Sequence, residues 1–384
     1  MGAIRSAGAK PQIVNAALDP GAIRRGSPRK RAIRLGLVWG VLALTAATSM
    51  PKVTMADEGG VSFWVPGFFG SLAAAPQQPG WSLASIYYHT SVSAGSDVAL
   101  AREFQLGRIP ANLTANLSAS LNATGDLGFA IPTYVFATPI LGAQASASLV
   151  TAYGTTSTSL VGTLTGSLTG PGGTVIPFGP RSDSISATAW GFADVIPQFA
   201  LRWNAGVDSY MTYVTGDIPA GVYSSSSLAN LGIGHGAIDA GGGYTYFNPG
   251  TGHEFSAVLG ATYNFENQAT QYQNGIDMHL DLGASQFVSK QVLVGMVGYV
   301  YDQLSCDSGS GDRVGCFESR VAGIGPQIGY IFPVGGMQGY LNFKGYEEFD
   351  SSDRPKGWNA WVTFVLSPAA AAPPTAPKKP MFTK

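Results

Sequence analysis

The sequence has 384 residues, of which 12% are charged and 45% are hydrophobic, and it contains 51 glycines. Soluble globular proteins carry about 25% charged residues, and disordered chains combine low hydrophobicity with high net charge, so neither class fits. Only one long apolar run occurs, near the start, which excludes a helical membrane protein with several spans. Two cysteines exclude a small disulfide framework and a multi-cysteine metal site. The composition favours a large β-structure.

The first 56 residues are predicted to be an export signal. A basic cluster between Arg24 and Arg34 precedes an apolar run, 35–49, that is shorter than the roughly 20 residues of a transmembrane helix. Cleavage after Ala56 is preferred and cleavage after Ser49 comes second, while a retained single-span anchor is the alternative. Nine of the 22 basic residues but one of the 23 acidic residues lie in this segment, which leaves 13 basic against 22 acidic residues. A mature acidic chain argues against nucleic-acid binding.

Residues 57–80 are predicted to be a periplasmic segment, and 81–366 are predicted to form β-strands. In His253–Phe265 apolar and polar residues alternate, and the same period of two recurs in Asp277–Val288 and Ser319–Phe332. Successive side chains of a strand face opposite ways, so each segment has one apolar and one polar face. A soluble sandwich shows the same alternation, and other features must separate it from a membrane barrel.

Three features favour a membrane barrel. The segments are 9–14 residues long, which matches a tilted membrane-crossing strand. Aromatic residues, including Tyr299, Tyr301 and Tyr346, gather toward segment ends, as in an interfacial girdle. Short turns such as Asn204-Ala205 alternate with longer polar segments such as 216–236. The predicted fold is therefore an all-β, antiparallel, up-and-down transmembrane β-barrel.

The number of strands is harder to derive from the pattern. Thirteen segments can be marked, and a barrel with both termini in the periplasm needs an even number. The ambiguity lies in the N-terminal third, where the runs Ala143–Ser148 and Thr155–Ser159 blur the alternation and Pro132 requires a bulge or an edge. The segments marked there include 111–123 and 127–138. Twelve strands are preferred, and fourteen are the alternative.

The chain continues past the barrel into a Pro- and Ala-rich tail, 367–384. Proline lacks the backbone donor that a central strand needs, so the tail is predicted to be disordered. Outer-membrane barrels typically end on an aromatic residue that the barrel-assembly machinery recognises, and Phe364 is the candidate here. The expected partners are this machinery, outer-membrane lipid and a small-molecule solute.

Cys306 and Cys316 flank a polar loop with nine residues between them. An exported chain passes through an oxidising compartment, and a loop of this length closes readily, so a disulfide is predicted. Two free thiols or a metal pair are the alternative, which the lack of nearby histidine disfavours.

Catalytic and cofactor motifs are missing from the sequence. None of the four histidines has HExxH spacing, and no GxSxG motif occurs. The glycine clusters 232–236 and 241–243 lack the lysine and the following helix of a phosphate-binding loop. The chain is therefore predicted not to be an enzyme, with no catalytic residue, no metal site and no cofactor.

Several short motifs together resemble one bacterial family. They are Glu58–Gly60 with Val65–Gly70, Trp190–Asp194 with Pro197, Tyr246–Ser256, Asp307–Gly315 with Ser319–Tyr330, and Gly345–Phe349 with Arg354 and Pro355. The family is named "Putative MetA-pathway of phenol degradation" and is a transporter-like group of bacterial outer-membrane proteins. The resemblance spans about 58–366 and implies a membrane β-barrel that takes up aromatic or other apolar compounds. The family name is an association with a pathway and does not identify a substrate.

Polar side chains on the inward parity are expected to line the lumen and form the solute pathway. The candidates are Asp194, Gln198, Arg202, Asp208, Asp239, Glu254, His279, Asp281, Asn342 and Lys344. The preferred function is a channel in the outer membrane of a Gram-negative bacterium for passive uptake of small apolar or aromatic compounds. The alternative is a structural or adhesive outer-membrane protein with a plugged barrel.

Overall fold

The computed structural model describes residues 62–95, 116–169, 175–313 and 315–369, and these belong to one compact unit, Val53–Lys384. The predicted export signal and most of the predicted C-terminal tail lie outside the described residues. The strands are β1 (Gly80–Ala94), β2 (Asn116–Val135), β3 (Gln144–Thr169), β4 (Val175–Phe192), β5 (Ile196–Ala205), β6 (Asp208–Asp217), β7 (Ala237–Asn248), β8 (His253–Asn264), β9 (Asp277–Phe287), β10 (Val292–Gln303), β11 (Arg320–Val334), β12 (Met337–Ser352) and β13 (Lys356–Pro368). Within the described part of the chain, no helix has the length and apolar character needed to cross a membrane.

The strands form one closed antiparallel barrel with twelve positions in its wall. β1 pairs with both β2 and β13, and pairing continues from β13 through β5 to β3 and back to β2. β4 and β5 share the neighbour β3: β5 pairs with Gln144–Val150, and β4 pairs with Tyr153–Thr169. They are thus successive parts of one wall strand, interrupted at 193–195, and the preferred count of twelve is confirmed.

The odd number of predicted segments arose in the N-terminal third. Segments 111–123 and 127–138 are not two strands, because Asn116–Val135 is one continuous strand. Gly125 lies between them, facing Thr90 of β1 and Thr156 of β3, and continues both ladders without a turn.

The alternation of apolar and polar residues is inverted relative to a soluble protein. In β8, Phe255, Leu259 and Tyr263 are between 43% and 52% exposed, whereas Glu254 and Thr262 are at most 4% exposed. In a barrel the exposed parity faces outward, so the wall presents apolar side chains outside and polar side chains inside. An apolar outer surface of this kind suits a barrel that is surrounded by lipid.

The two rims of the barrel differ in the length of their connections. Gly80 and Pro368, the two ends of the barrel, lie side by side at one rim. That rim, here called the turn rim, carries the connections 136–143, 206–207, 249–252, 288–291 and 335–336. In 335–336, one of the two connections of only two residues, Gly335 and Gly336 have φ of 52° and 85°, the left-handed region that a two-residue hairpin turn requires. The opposite rim, the loop rim, carries 218–236, 265–276 and 304–319.

The inner surface of the barrel has two chemically different sides. The side formed by β6–β9 is here called the polar wall, and its buried polar side chains include Thr215, Asp239, Thr245, Glu254, Ser256, Thr262, His279, Asp281 and Ser285. The side formed by β1–β3 and β10–β13 is the aromatic wall, where Tyr88, Phe129, Tyr299, Tyr301, Tyr346 and Trp361 form one buried cluster.

Three of the aromatic residues that were predicted to lie in the interfacial girdle therefore lie inside the barrel. Tyr299, Tyr301 and Tyr346 are only 2–3% exposed and point into the lumen. Both faces of β10 are mainly apolar, so its sequence does not show which of the two faces lies toward lipid.

Candidate functional site: the barrel lumen

The lumen is occupied by a piece of the same chain. Residues 62–79, here called the lumen segment, form turns rather than a helix or strand and run against the inner walls. The sequence analysis expected a periplasmic segment over 57–80, and its described part, 62–79, lies inside the barrel against inward-facing side chains. A signal for this placement was present in Val65–Gly70, a run of apolar residues and glycines that is unsuited to free exposure in water.

Backbone groups of the lumen segment are bound by side chains of the polar wall. An irregular segment has no ladder of its own, so its buried N–H groups need other partners. Those partners are Asp281 for the N–H of Gly67 (2.8 Å), Glu254 and Ser256 for the N–H of Leu72 (2.8 and 3.0 Å), and Thr245 for the N–H of Ala74 (3.0 Å). Leu72 has φ of 65°, an uncommon value for a residue with a Cβ. Two acceptors on one N–H hold this conformation in place.

Lys344 binds the other side of the same backbone. Its ammonium donates to the carbonyl of Gly67 and to the carbonyls of Phe68 and Phe69, at 3.4 and 3.2 Å. The ammonium also lies 4.8 Å from the ring centroid of Trp361, within cation–π range. One cation on β12 therefore donates to three successive carbonyls of the segment, of which that of Gly67 also accepts from the hydroxyl of Tyr346 at 3.4 Å.

His279 forms the centre of a second contact between the segment and the polar wall. The ring of Trp64 stacks on the imidazole with centroids 3.6 Å apart and planes 11° apart. The Nε2 atom of His279 lies 3.1 Å from an oxygen of Asp239 and 3.0 Å from the hydroxyl of Tyr213. Thr262 donates a hydrogen bond of 2.7 Å to the same carboxylate oxygen of Asp239. The histidine is thereby fixed on one edge by hydrogen bonds and on one face by an indole.

Apolar side chains of the segment pack on aromatic rings. Phe68 lies edge-on to Trp361 of the aromatic wall, with centroids 6.4 Å apart, while Phe69 lies 5.5 Å from the ring of Tyr213. Val65 packs against the aromatic-wall cluster. The segment thus buries its side chains on aromatic surface and has its backbone bound by polar groups.

A cavity of about 280 Å³ remains between the start of the lumen segment and the loop rim. Its lining combines Trp64, Val65 and Pro66 of the segment with residues of β1–β3, of the loop 218–236 and of the β12–β13 connection. Most lining side chains are apolar, including Val92, Leu121, Leu228, Leu231 and Ile233. An apolar cavity of roughly 150 Å³ can hold benzene, so this cavity can hold a substituted single ring.

The loop that covers the cavity is tied down by a predicted lumen residue. Asp194 lies at the interruption between β4 and β5 and is 7% exposed. Its two carboxylate oxygens accept hydrogen bonds of 2.7 Å from the N–H groups of Gly221 and Ile233. Asp194 therefore positions the loop rather than lining an open pore.

Most of the other predicted lumen residues also face inward. Asp239, Glu254, His279, Asp281, Asn342 and Lys344 are at most 9% exposed. Asn342 donates to the carbonyl of Ile328 at 3.2 Å, and Arg202 donates to Ser146 at 2.9 Å. Gln198 lines a second, smaller cavity of about 40 Å³ next to Trp64. Glu254, His279, Asp281 and Lys344 thus converge on the lumen segment, which sequence reasoning did not place there.

Asp208 does not face the lumen, which corrects the sequence-based prediction. It shares the outward parity of Tyr210, which is 49% exposed, and accepts a hydrogen bond of 2.6 Å from Tyr244. The polar pattern of β6 misleads because Met211 and Tyr213 face inward, against the lumen segment. Because these inward side chains are apolar, the sequence suggests that the inner face of β6 is the lipid-facing one.

The predicted disulfide between Cys306 and Cys316 is present in the loop 304–319 at the loop rim. In the same loop Asp307 is 8% exposed and accepts hydrogen bonds from Tyr272, from Gln303 (2.6 Å) and from the N–H of Gly275 (3.1 Å). Burial raises the pKa of Asp307 to about 6, although these donors act in the opposite direction. The disulfide closes the loop on itself, and the carboxylate of Asp307 ties the loop to its neighbour, 265–276.

The sequence profile of the family described as "Putative MetA-pathway of phenol degradation" matches residues 107–364. Among solved structures, an outer membrane channel from Pseudomonas putida is similar with a TM-score of 0.55 and 12% identity, over 79% of this chain and 99% of that chain. This likeness shows a shared barrel fold.

A FadL homologue from Pseudomonas aeruginosa aligns over 83% of this chain and 98% of that chain, with 11% identity and a TM-score of 0.32. The toluene transporter TbuX from Ralstonia pickettii aligns over the same shares with 8% identity and a TM-score of 0.27. Both scores are too low to carry an argument. No curated protein matches the sequence.

Proposed function

We propose that the chain is an outer-membrane channel for small apolar or aromatic compounds. The premise is that it belongs to the family described as "Putative MetA-pathway of phenol degradation", whose profile covers about two thirds of it. In this proposal the signal peptide exports the chain, the barrel-assembly machinery inserts it, and the barrel sits in the outer membrane of a Gram-negative bacterium. The turn rim then faces the periplasm and the loop rim faces outward, as in bacterial barrels with short periplasmic turns. Diffusion through such a barrel needs neither a catalytic residue nor a cofactor.

The cavity near the loop rim is the observation that carries this proposal. A pore for sugars or ions is lined by polar groups, whereas this cavity is enclosed mainly by aliphatic and aromatic side chains. Its walls continue into the aromatic wall through Tyr88, which belongs to both. A molecule that leaves the cavity toward the turn rim therefore passes along apolar surface.

Passage to the turn rim requires displacement of the lumen segment. Its contacts with the walls are side-chain hydrogen bonds and ring contacts, and in the described part of the chain it pairs with no strand. It can therefore move without breaking any ladder of the barrel. We include this movement in the proposal: the segment closes the barrel at rest and shifts when solute passes.

Uptake by whole cells tests the proposal. The gene is expressed in a Gram-negative host that lacks it, and the entry of a labelled single-ring aromatic compound is compared with that of a labelled disaccharide. We expect faster entry of the aromatic compound only. Ala123→Trp on β2 fills the cavity and should abolish the increase.

Ala130→Trp is the matched control, because Ala130 lies on the outward parity of the same strand. Equal uptake with and without the protein would contradict the proposal, as would an Ala123→Trp variant that transports normally.

A structural or adhesive role with a permanently closed barrel is the second candidate, and the dense binding of the lumen segment favours it. It predicts unchanged solute uptake, together with loss of envelope attachment when 367–384 is deleted. Fractionation of cells that express the truncated chain separates the two roles.

A further inference from the structure

The polar groups of the cavity are concentrated at one end, next to the β12–β13 connection. Arg354 and Glu348 line the cavity there, together with Ser62 and Asn359. The rest of the lining is mostly aliphatic, with threonine hydroxyls on β1 and β3. The cavity is therefore amphipathic, with a charged end and an apolar body.

The acid at this end already has its partners. One oxygen of Glu348 accepts a hydrogen bond of 2.7 Å from Tyr299, and the other accepts one of 2.8 Å from the N–H of Gly357. Asn359 is engaged as well, since it donates to Tyr299 and accepts from Trp361, both at 2.9 Å. Neither side chain needs a ligand to satisfy it.

Arg354, in contrast, has more N–H donors than its contacts use. Its guanidinium lies over the ring of Tyr301, 4.4 Å from the centroid, and one nitrogen is 3.5 Å from the hydroxyl of Ser62. No carboxylate of the described residues lies within ion-pair distance of it, whereas Arg320 on the neighbouring strand is paired with Asp350 at 3.1 Å. The ring of Tyr301 covers one side of the guanidinium, and Arg354 is among the residues that line the cavity.

A half-buried guanidinium without an anionic partner becomes costly once a ligand displaces the water around it. The planar fork of donors matches the two oxygens of a carboxylate. From this geometry we infer that the cavity binds a small apolar molecule that carries a carboxylate, with the carboxylate on Arg354 and the apolar body against the lining side chains of Leu121 and Leu228.

This inference rests on the proposed function and narrows its substrate class. A cation is disfavoured at this end because the guanidinium of Arg354 carries a positive charge there and both oxygens of Glu348 already accept hydrogen bonds. A large or doubly charged anion does not fit, since the cavity of about 280 Å³ has one cationic group and mostly apolar walls.

Isothermal titration calorimetry on the mature protein in detergent tests the inference with two matched probes. Benzoate and benzamide have the same ring and nearly the same shape, but only benzoate is charged. We expect benzoate to bind at least about tenfold more tightly at pH 7, a difference that corresponds to roughly 1.4 kcal/mol. Equal binding of the two probes, or no binding of either, would overturn the inference without any variant.

Variants then assign the preference to one side chain. Arg354→Gln should lower benzoate affinity about to that of benzamide, and Arg354→Lys should keep part of the preference. Arg320→Gln removes a cation that does not line the cavity and should change neither affinity. Heat-modifiable gel migration verifies that each barrel is folded, and an Arg354→Gln barrel with unchanged preference would count against the site.

This result is separable from the proposed function. If cells take up a neutral aromatic compound in a manner that Ala123→Trp blocks, while benzoate has no advantage in binding, the channel stands and the anion site falls. If benzoate binds through Arg354 but no compound is taken up, the site stands and the channel falls.

Discussion

The polar wall and the aromatic wall hold the same segment in different ways. On the polar wall, Glu254 and Asp281 accept directed hydrogen bonds from the backbone of the lumen segment. On the aromatic wall, Trp361 and its neighbours offer surface against which Phe68 and Val65 pack. Directed bonds fix a position and are lost one by one, whereas packing depends on area and tolerates sliding. The directed bonds, from the polar wall and from Lys344 on β12, therefore set where the segment rests, and the aromatic rings give a surface along which the segment or a solute can move.

Removal of the lumen segment should have the largest effect. A chain lacking 62–79 has no peptide between the two walls, so we expect planar-bilayer conductance on the order of tenfold above that of the intact protein. The measurement is single-channel recording of both refolded proteins. If the two conductances are equal, the segment does not obstruct the pore.

Trp361→Ala tests the aromatic wall. Trp361 is 1% exposed and contacts Tyr88, Phe129 and Phe68, so its loss leaves a cavity and should lower the free energy of unfolding by about 3–5 kcal/mol. Trp358 on the same strand is 46% exposed on the outward side, where lipid fills the space, so Trp358→Ala should cost less than half as much. Urea titration of both variants in lipid vesicles makes the comparison. Equal losses would mean that the inward cluster contributes no more than a lipid-facing side chain.

Asp281→Asn tests the polar wall. The substitution removes a charged acceptor from the N–H of Gly67 and should weaken the hold on the segment by about 1–2 kcal/mol. We expect opening events in bilayer recordings to become roughly tenfold more frequent, with unchanged conductance of the open state. Asp208→Asn, which faces outward, is the matched control and should record like the native protein. An Asp281→Asn barrel that opens no more often than this control would show that the carboxylate does not hold the segment.

Reduction of the Cys306–Cys316 disulfide should have the smallest effect. The bond closes a short loop at the loop rim, so by chain entropy it contributes on the order of 2–3 kcal/mol to local order there. We expect trypsin to cleave after Arg313 faster in the reduced protein, while uptake and heat-modifiable migration stay the same. Loss of the folded barrel on reduction would show that the bond supports more than its loop.

The barrel could be predicted from the sequence because a single rule, alternation along the strand, governs most of its wall. In β8 the rule separates Phe255 and Leu259 from Glu254 and Ser256 without ambiguity. It fails where the lumen itself is apolar: Tyr299 and Tyr301 on β10 and Tyr213 on β6 face inward, so composition no longer marks the lipid side. That failure produced both the wrong girdle residues and the wrong side for Asp208.

The candidate site was only half predictable. Glu254, His279, Asp281 and Lys344 could be placed on the inner face by parity, but their partner is a segment some 180–280 residues away in sequence. No periodic pattern reports a contact between an irregular segment and a strand, because such a contact depends on the three-dimensional course of the chain. Arg354 was visible within a motif of the family, yet its lack of an anionic partner can be read only from geometry.

A reversible lock on the lumen segment tests the central claim most directly. The hydroxyls of Ser71 in the segment and Ser285 on β9 are 2.8 Å apart, so a Ser71→Cys, Ser285→Cys double variant can form a disulfide that ties the segment to the polar wall. Each single variant controls for the effect of the oxidant and the reductant on the native Cys306–Cys316 disulfide. Uptake of the labelled aromatic compound should stop in oxidised cells that carry the double variant and return after reduction. Normal uptake through a barrel with a verified lock would contradict the account, because solute would then pass without movement of the segment.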